Sequence, residues 1–177
     1  MGGYSCLERI VDGLSDEVTS MFQIRPYKRE DAKDVQKCFT ELQRFENDIE
    51  PSRTDGRVVG KTYVLQMLKV CKEKNGRVFI AEDRGKVVGY AFARIERHPE
   101  RIFTTITEYV YVQDLVLLPH ARKKGIGKKL LQEVEKYAKG SGMRTILLTV
   151  LAKNPSAKKF YGKSGFTELD IVMRKKL

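Results

Sequence analysis

The residues best suited to chemistry in this chain lie in its second half. "RKKGIGKK", Arg122 to Lys129, holds five basic residues and no acidic one, with Gly125 and Gly127 inside the cluster. Glycine weakens helices and crowded like charges repel, yet an amphipathic helix pattern starts here, with Leu130, Leu131, Val134, Tyr137 and Ala138 on one stripe. A helix N-terminus presents unpaired N–H groups and a partial positive charge. Glycines there let an anion approach the backbone, and Arg122, Lys123, Lys124 and Lys128 add charge-assisted bonds. The pattern reads either as a phosphate cradle or as a solvated basic helix start. Two other phosphate motifs fit worse. A dinucleotide G-x-G-x-x-G would need glycine where Leu130 stands. "GRVVGKT", Gly56 to Thr62, has three residues between its glycines where a P-loop has four.

A second constellation follows. "NPSAKKFYGKSGF" runs from Asn154 to Phe166 behind an apolar run. Together with "DLVLLPHARKKGIGKKLL" it resembles the GCN5-related N-acetyltransferase (GNAT) family. The first segment matches the family's Q/R-x-x-G-x-G/A motif at Arg122, Gly125 and Gly127. The second matches N-x-x-A-x-x-F-Y-x-x-x-G-F at Asn154, Ala157, Phe160, Tyr161, Gly165 and Phe166. The resemblance is strongest from about Val112 to Phe166.

What the resemblance implies is transfer of an acetyl group from acetyl-CoA, as co-substrate, to a primary amine by direct attack. The alternative is a non-catalytic, CoA-binding regulatory module of the same fold. The pyrophosphate would rest on residues 123–128, Ile126 included. The strand edge Leu115, Val116 and Leu117 would pair with pantetheine and polarise the acetyl carbonyl. Asn154 would help hold the cofactor or cap the following helix, as Asn before Pro commonly does.

Tyr161 matches the family's tyrosine at the departing thiolate. Consecutive helix residues point about 100° apart, so Phe160 inside and Tyr161 toward the cleft is the expected arrangement. Many relatives carry a basic glutamate about where Tyr111 falls, which leaves Asp114 and Glu108 as the nearby carboxylates. They share strand parity and face one side if no bulge intervenes. Asp114, in an apolar strand, is the better base candidate because burial raises a carboxyl pKa. Glu46 and Asp48, with Glu50, lie in a predicted polar loop and would attract a cationic amine.

The elements that must position these groups follow from periodicity. A strand at Phe22–Arg25 precedes a turn at Pro26 and a helix with Asp31 near its start. The face of that helix is Val35, Cys38, Phe39, Leu42 and Phe45. A loop is expected over Glu46–Gly56, then a helix over about Gly60–Lys74 with Tyr63, Val64, Met67, Leu68 and Cys71 inward. Strands at Val78–Ala81 and Val87–Ile95 flank the turn Asp83-Arg84-Gly85. A long strand spans Phe103–Leu118. After the basic helix come a strand over Thr145–Leu151 with both faces covered, a helix at Pro155–Lys163 and a last strand at Phe166–Met173. The order β-α-α-β-β-β-α-β-α-β is that of a GNAT-type α/β domain, a mixed, mostly antiparallel central sheet flanked by helices.

Residues 1–20 read as an N-terminal extension, with Leu7, Ile10, Val11 and Leu14 on one side of a short helix. Residues 21–177 read as the single domain.

Composition narrows the partners. The net charge of +11 favours anionic ligands, and CoA carries several phosphates, so nucleic acid is not an expected partner. No apolar run is long enough to span a membrane, and a secretory signal is not expected from the first residues. Cys6, Cys38 and Cys71 have no metal-ligand spacing and read as free thiols, which suits a reducing cytoplasm. No metal is expected. Dimers are common in the family, so a homodimer is an expectation.

Overall fold

A computed structural model describes residues 22–54, 56–99 and 105–175. The expected N-terminal extension, residues 1–20, and the predicted strand start at Phe103 lie outside them. Among the described residues, five strands form one sheet in the order of the chain: β1 (Phe22–Pro26), β2 (Arg77–Asp83), β3 (Lys86–Arg97), β4 (Glu108–Leu117) and β5 (Ile146–Leu148). The first four pair antiparallel, and β4 and β5 pair parallel. Four α-helices of the described residues cover the sheet: α1 (Ala32–Ile49), α2 (Gly56–Glu73), α3 (Ile126–Gly140) and α4 (Pro155–Lys163).

Two cores result. On one face α3 lays Ile126, Leu130, Val134 and Ala138 against Ala91, Ala93, Val110 and Val112. On the other, α1 and α2 lay Val35, Phe39, Val64 and Met67 against Tyr90, Phe92 and Val116. Alternation along β3 sends successive side chains to opposite cores. Cys38 is fully buried, and burial pushes its thiol up to about 12, while Cys71 is half-buried; both are free.

The chain enters α1 through a buried ion pair. Asp31 takes two hydrogen bonds from the Arg25 guanidinium, at 2.8 Å each, and one from the Lys28 backbone N–H at 2.7 Å. Arg25 also donates to Glu82 on β2. Strand β1, the sheet and the start of α1 are thereby fixed together.

The structure departs from the sequence pattern in four places. Helix α1 continues through Glu46 and Asp48 to Ile49, and α2 begins at Gly56, so the expected polar loop shrinks to a few residues. The close approach of α2 explains its glycine start: a Cβ on Gly56 would stand 2.7 Å from Gln43 and 2.8 Å from the Thr40 backbone. Strand β5 is three residues long and half-exposed, because it lies at the sheet edge rather than between strands. Residues 166–173 form no strand; Ile171, Val172 and Met173 are exposed, and Arg174 ties the segment to Glu50 on the α1 side. Finally, β4 carries a bulge. Ala93 pairs with Val112 and Phe92 with Asp114, which leaves Gln113 as the extra residue.

Candidate active site

The bulge decides which side chains meet. Before it, Val110 and Val112 face the α3 core; after it, Val116 faces the α1/α2 core. Asp114 therefore joins Tyr111 on the α1/α2 face. Glu108, which shares the parity of Val110 and Val112, is on the opposite face and pairs with Arg97 at 3.0 Å. The expectation that Asp114 and Glu108 share a side is thus corrected.

Asp114 is 6% exposed. Tyr63 from α2 and Tyr90 from β3 both donate to its Oδ2, Tyr90 at 2.8 Å. Burial raises its pKa to about 6 against the pull of those two donors; the Glu46 charge adds to the rise and Arg94 opposes it. The Tyr63 ring is stacked on Phe39, centroids 3.7 Å apart and planes 4° from parallel. Arg94 lies over the Tyr111 ring at 4.9 Å and donates to Gln113 and Glu96. Tyr111 itself bonds Thr149 Oγ1 at 2.8 Å, linking β4 to the segment just after β5.

Glu46 comes to this face from α1, and burial raises its pKa with Arg53 acting against it. Asp48, two residues further along α1, is exposed. Glu50 is engaged by Ser52 and Arg174, which hold its carboxyl down to about 2. Of the three acids suggested for the acceptor, only Glu46 reaches the buried cluster.

Tyr161 approaches from α4. Burial pushes its phenol up to about 12, with the charges of Asp114 and Glu46 adding to the rise. Its ring is edge-on to Phe160 and Phe166. Phe160 turns instead toward α3, where a Cβ on Gly127 would meet its ring at 3.4 Å. Asn154 Oδ1 accepts from Ala157 N–H at 3.0 Å, so this side chain caps α4.

Strand β5 accompanies β4 only along Val110–Val112. Beyond that the two part, and β4 from Gln113 to Leu117 has one edge on β3 and the other without a strand partner among the described residues. Leu115, Val116 and Leu117 form that edge. It leads through a single 3-10 turn, Pro119–Ala121, to the glycine-rich turn. Gly125 has φ +80° and Lys123 φ +63°, left-handed values that glycine adopts without cost and lysine does not. Gly125 is the N-cap of α3, and nothing lies within 4 Å of a Cβ built on it. Lys129 N–H is bonded back to Gly125 O, so the N–H groups of Ile126, Gly127 and Lys128 head the helix with no intrahelical acceptor. Lys123, Lys124 and Gly125 are exposed beside them. Arg122 is engaged otherwise: its Nε donates to the Leu117 carbonyl at 3.0 Å and its guanidinium lies over Phe45 at 5.9 Å. It braces the turn against α1.

A sequence model of the acetyltransferase (GNAT) family matches residues 35–166. The chain belongs to this family. The uncharacterized N-acetyltransferase YycN of Bacillus subtilis is 34% identical over 92 residues, 51% of this chain and 54% of that protein. The chain thus spans about half the length of the curated relatives it matches. A tetramutant of the BH1408 protein of Bacillus halodurans superposes with a TM-score of 0.72 at 22% identity, over 88% of this chain and 99% of that one. The aminoglycoside N-acetyltransferase AAC(6')-Iy, solved with CoA, gives 0.66 at 20% identity, over 88% and 94%. These likenesses support the fold, the mixed sheet with helices on both faces.

The sequence pattern does not single out Tyr63, Tyr90 or Arg94. Tyr63 reads only as part of an apolar stripe and Tyr90 as a strand residue. The one available signal is a phenol at a core position, since a buried Tyr hydroxyl requires a partner.

Proposed function

We propose that this chain transfers an acetyl group from acetyl-CoA to a primary amine. The observation that carries the reading is the convergence of Asp114, Glu46 and Tyr161 beside an open β4 edge, which ends at a glycine-capped helix start. The cradle residues fit a pyrophosphate: Ile126, Gly127 and Lys128 offer backbone donors, Gly125 leaves space, and Lys123, Lys124 and Lys128 supply positive charge. Leu115 to Leu117 offer backbone groups to the rest of the co-substrate, which brings the activated acetyl group. No role in this scheme needs a metal.

Tyr161 serves the leaving sulfur. A thiol has a pKa of about 8.5, and the Tyr161 phenol sits at about 12. Outright proton transfer from Tyr161 to a thiolate is therefore uphill, so Tyr161 acts by donating a hydrogen bond as the C–S bond breaks. Asp114 receives the amine's proton. A group titrating at about 6 is ionised at neutral pH and returns a proton to solvent readily. Glu46 draws the cationic amine inward, and exposed Asp48 contributes only long-range attraction.

The test is release of CoA thiol in a panel of amines: small polyamines, aminoglycosides, lysine peptides and peptide N-termini. Acetylation of at least one class, confirmed by mass of the product, is the expected result. Tight CoA binding with no turnover on any amine would leave a binding module.

A further inference from the structure

Asp114 accounts for the proton's destination but not for its route. Its Oδ2 already takes two phenolic hydrogen bonds, and the residue is 6% exposed. An acceptor amine cannot replace Tyr90, which is fully buried in the sheet core. Tyr63 differs. It is half-buried, stands on α2 at the margin of the same cluster, and is held by its stack on Phe39. Its hydroxyl is donor to Asp114 and keeps oxygen lone pairs for a second hydrogen bond.

We infer that Tyr63 is a proton relay between the acceptor amine and Asp114. This inference rests on the acetyl-transfer reading. The bound ammonium passes one proton to Tyr63 Oη, and the phenolic proton moves to Asp114 Oδ2. Tyr63 ends neutral and Asp114 ends as the acid; the freed nitrogen lone pair forms the N–C bond while the C–S bond breaks, and the second nitrogen proton leaves with the CoA sulfur as thiol. The proton on Asp114 then goes to solvent. No free phenolate forms, which fits the surroundings: burial and the Asp114 charge both push the Tyr63 hydroxyl pKa far up.

The groups facing the pair come from four elements. They are Glu46 on α1, Tyr90 and Arg94 on β3, Tyr161 on α4, and Cys71 behind Tyr63 on α2. Glu46 favours the protonated form of Asp114 and Arg94 the ionised form, so the relay sits between opposed charges.

The experiment is the pH profile of kcat/KM for wild type, Tyr63→Phe and Tyr90→Phe, with an amine that wild type acetylates. With the relay, wild type rises as Asp114 ionises and then stays level up to the amine's own pKa, because the proton is retained in the transition state. Tyr63→Phe keeps the ring and the stack. It should lose the level region and climb tenfold per pH unit toward the amine's pKa, since only free amine then reacts. Its loss at pH 7 should be about 10²–10⁴-fold. Tyr90→Phe also removes a donor from Oδ2, and should move the lower inflection upward while keeping the level region. A Tyr63→Phe profile that keeps the level region, or falls equally at every pH, overturns the relay. Should Tyr63→Phe fail to fold, the solvent-isotope proton inventory of wild type decides: two protons in flight support the relay and a linear inventory overturns it. Absence of wild-type turnover with every amine would instead overturn acetyl transfer itself.

Discussion

Tyr111 and Asp114 share one face of β4 although three positions separate them. Regular alternation would put them on opposite faces. The extra residue Gln113 reverses the parity, and the pairing of Phe92 with Asp114 records it. That single bulge carries a carboxylate out of the α3 core and into the cluster of Tyr63, Tyr90 and Glu46. Bulges recur beside active sites because they re-aim one side chain at small structural cost.

The cradle makes the first prediction. A Cβ on Gly127 meets only ordinary contacts, 3.4 Å to Phe160 and 3.6 Å to Leu117. Gly127→Ala should therefore fold with an unchanged melting temperature. Gly127→Glu places a carboxylate at the helix start, against both the dipole and the phosphates. Calorimetry should show CoA binding weakened by roughly 100-fold or more, about 3 kcal/mol. Equal CoA affinity in the Glu variant would refute the cradle.

Tyr161 makes the second. Tyr161→Phe keeps the edge contacts to Phe160 and Phe166 and loses only the hydroxyl. Turnover should fall by about 10²-fold or more, with acetyl-CoA affinity nearly unchanged. A thioester with a more acidic leaving thiol should recover much of the loss, because it depends less on hydrogen-bond support. Full turnover in the variant would reduce Tyr161 to a packing residue.

What the sequence showed and hid follows from the range of each signal. The glycine-rich turn, the stripe of α3 and the capped start of α4 are local, and each is visible within about a dozen residues. The bulge is not: "YVYVQDLVL" alternates plausibly through Gln113, and only the register against β3 exposes the slip. The end of α1 is equally hidden. "ENDI" looks like a loop because its polar residues dominate, yet it continues the helix and Glu46 turns inward toward Asp114. Phe166–Met173 has strand composition, but the structure leaves Ile171, Val172 and Met173 exposed, and composition alone does not supply a neighbouring strand.

The Arg25–Asp31 pair makes the third prediction. Asp31 is 3% exposed, and the Arg25 guanidinium holds its carboxyl below the usual 3.8 in spite of burial. Removing Asp31 leaves Arg25, 17% exposed, with Glu82 as its remaining partner, so Asp31→Ala should cost about 1–3 kcal/mol in denaturant unfolding. A depressed carboxyl stabilises the fold above its unfolded pKa and ceases to do so as pH falls through its folded value. Wild type should lose its advantage over the variant below about pH 4. An equal difference at pH 7 and pH 2 would show that packing, not charge, accounts for the effect.

Asp114 makes the last prediction, and its sign is opposite. Its pKa rises from 3.8 to about 6 on burial. At neutral pH the folded chain therefore holds an ionised carboxylate where a neutral group would be more stable, by about 3 kcal/mol. The destabilisation appears as pH climbs from about 4 to about 6, since in that window the folded state binds the proton and the unfolded state does not. Asp114→Asn keeps the shape and an oxygen to accept from Tyr63 and Tyr90, but carries no charge. It should melt higher than wild type at pH 7.5 and about equally at pH 3.5, while kcat/KM falls most near neutral pH. A variant more stable and less active would mark Asp114 as a residue retained for catalysis at the expense of the fold. A variant less stable at pH 7.5 would instead make the ionised carboxylate a structural anchor for the two tyrosines.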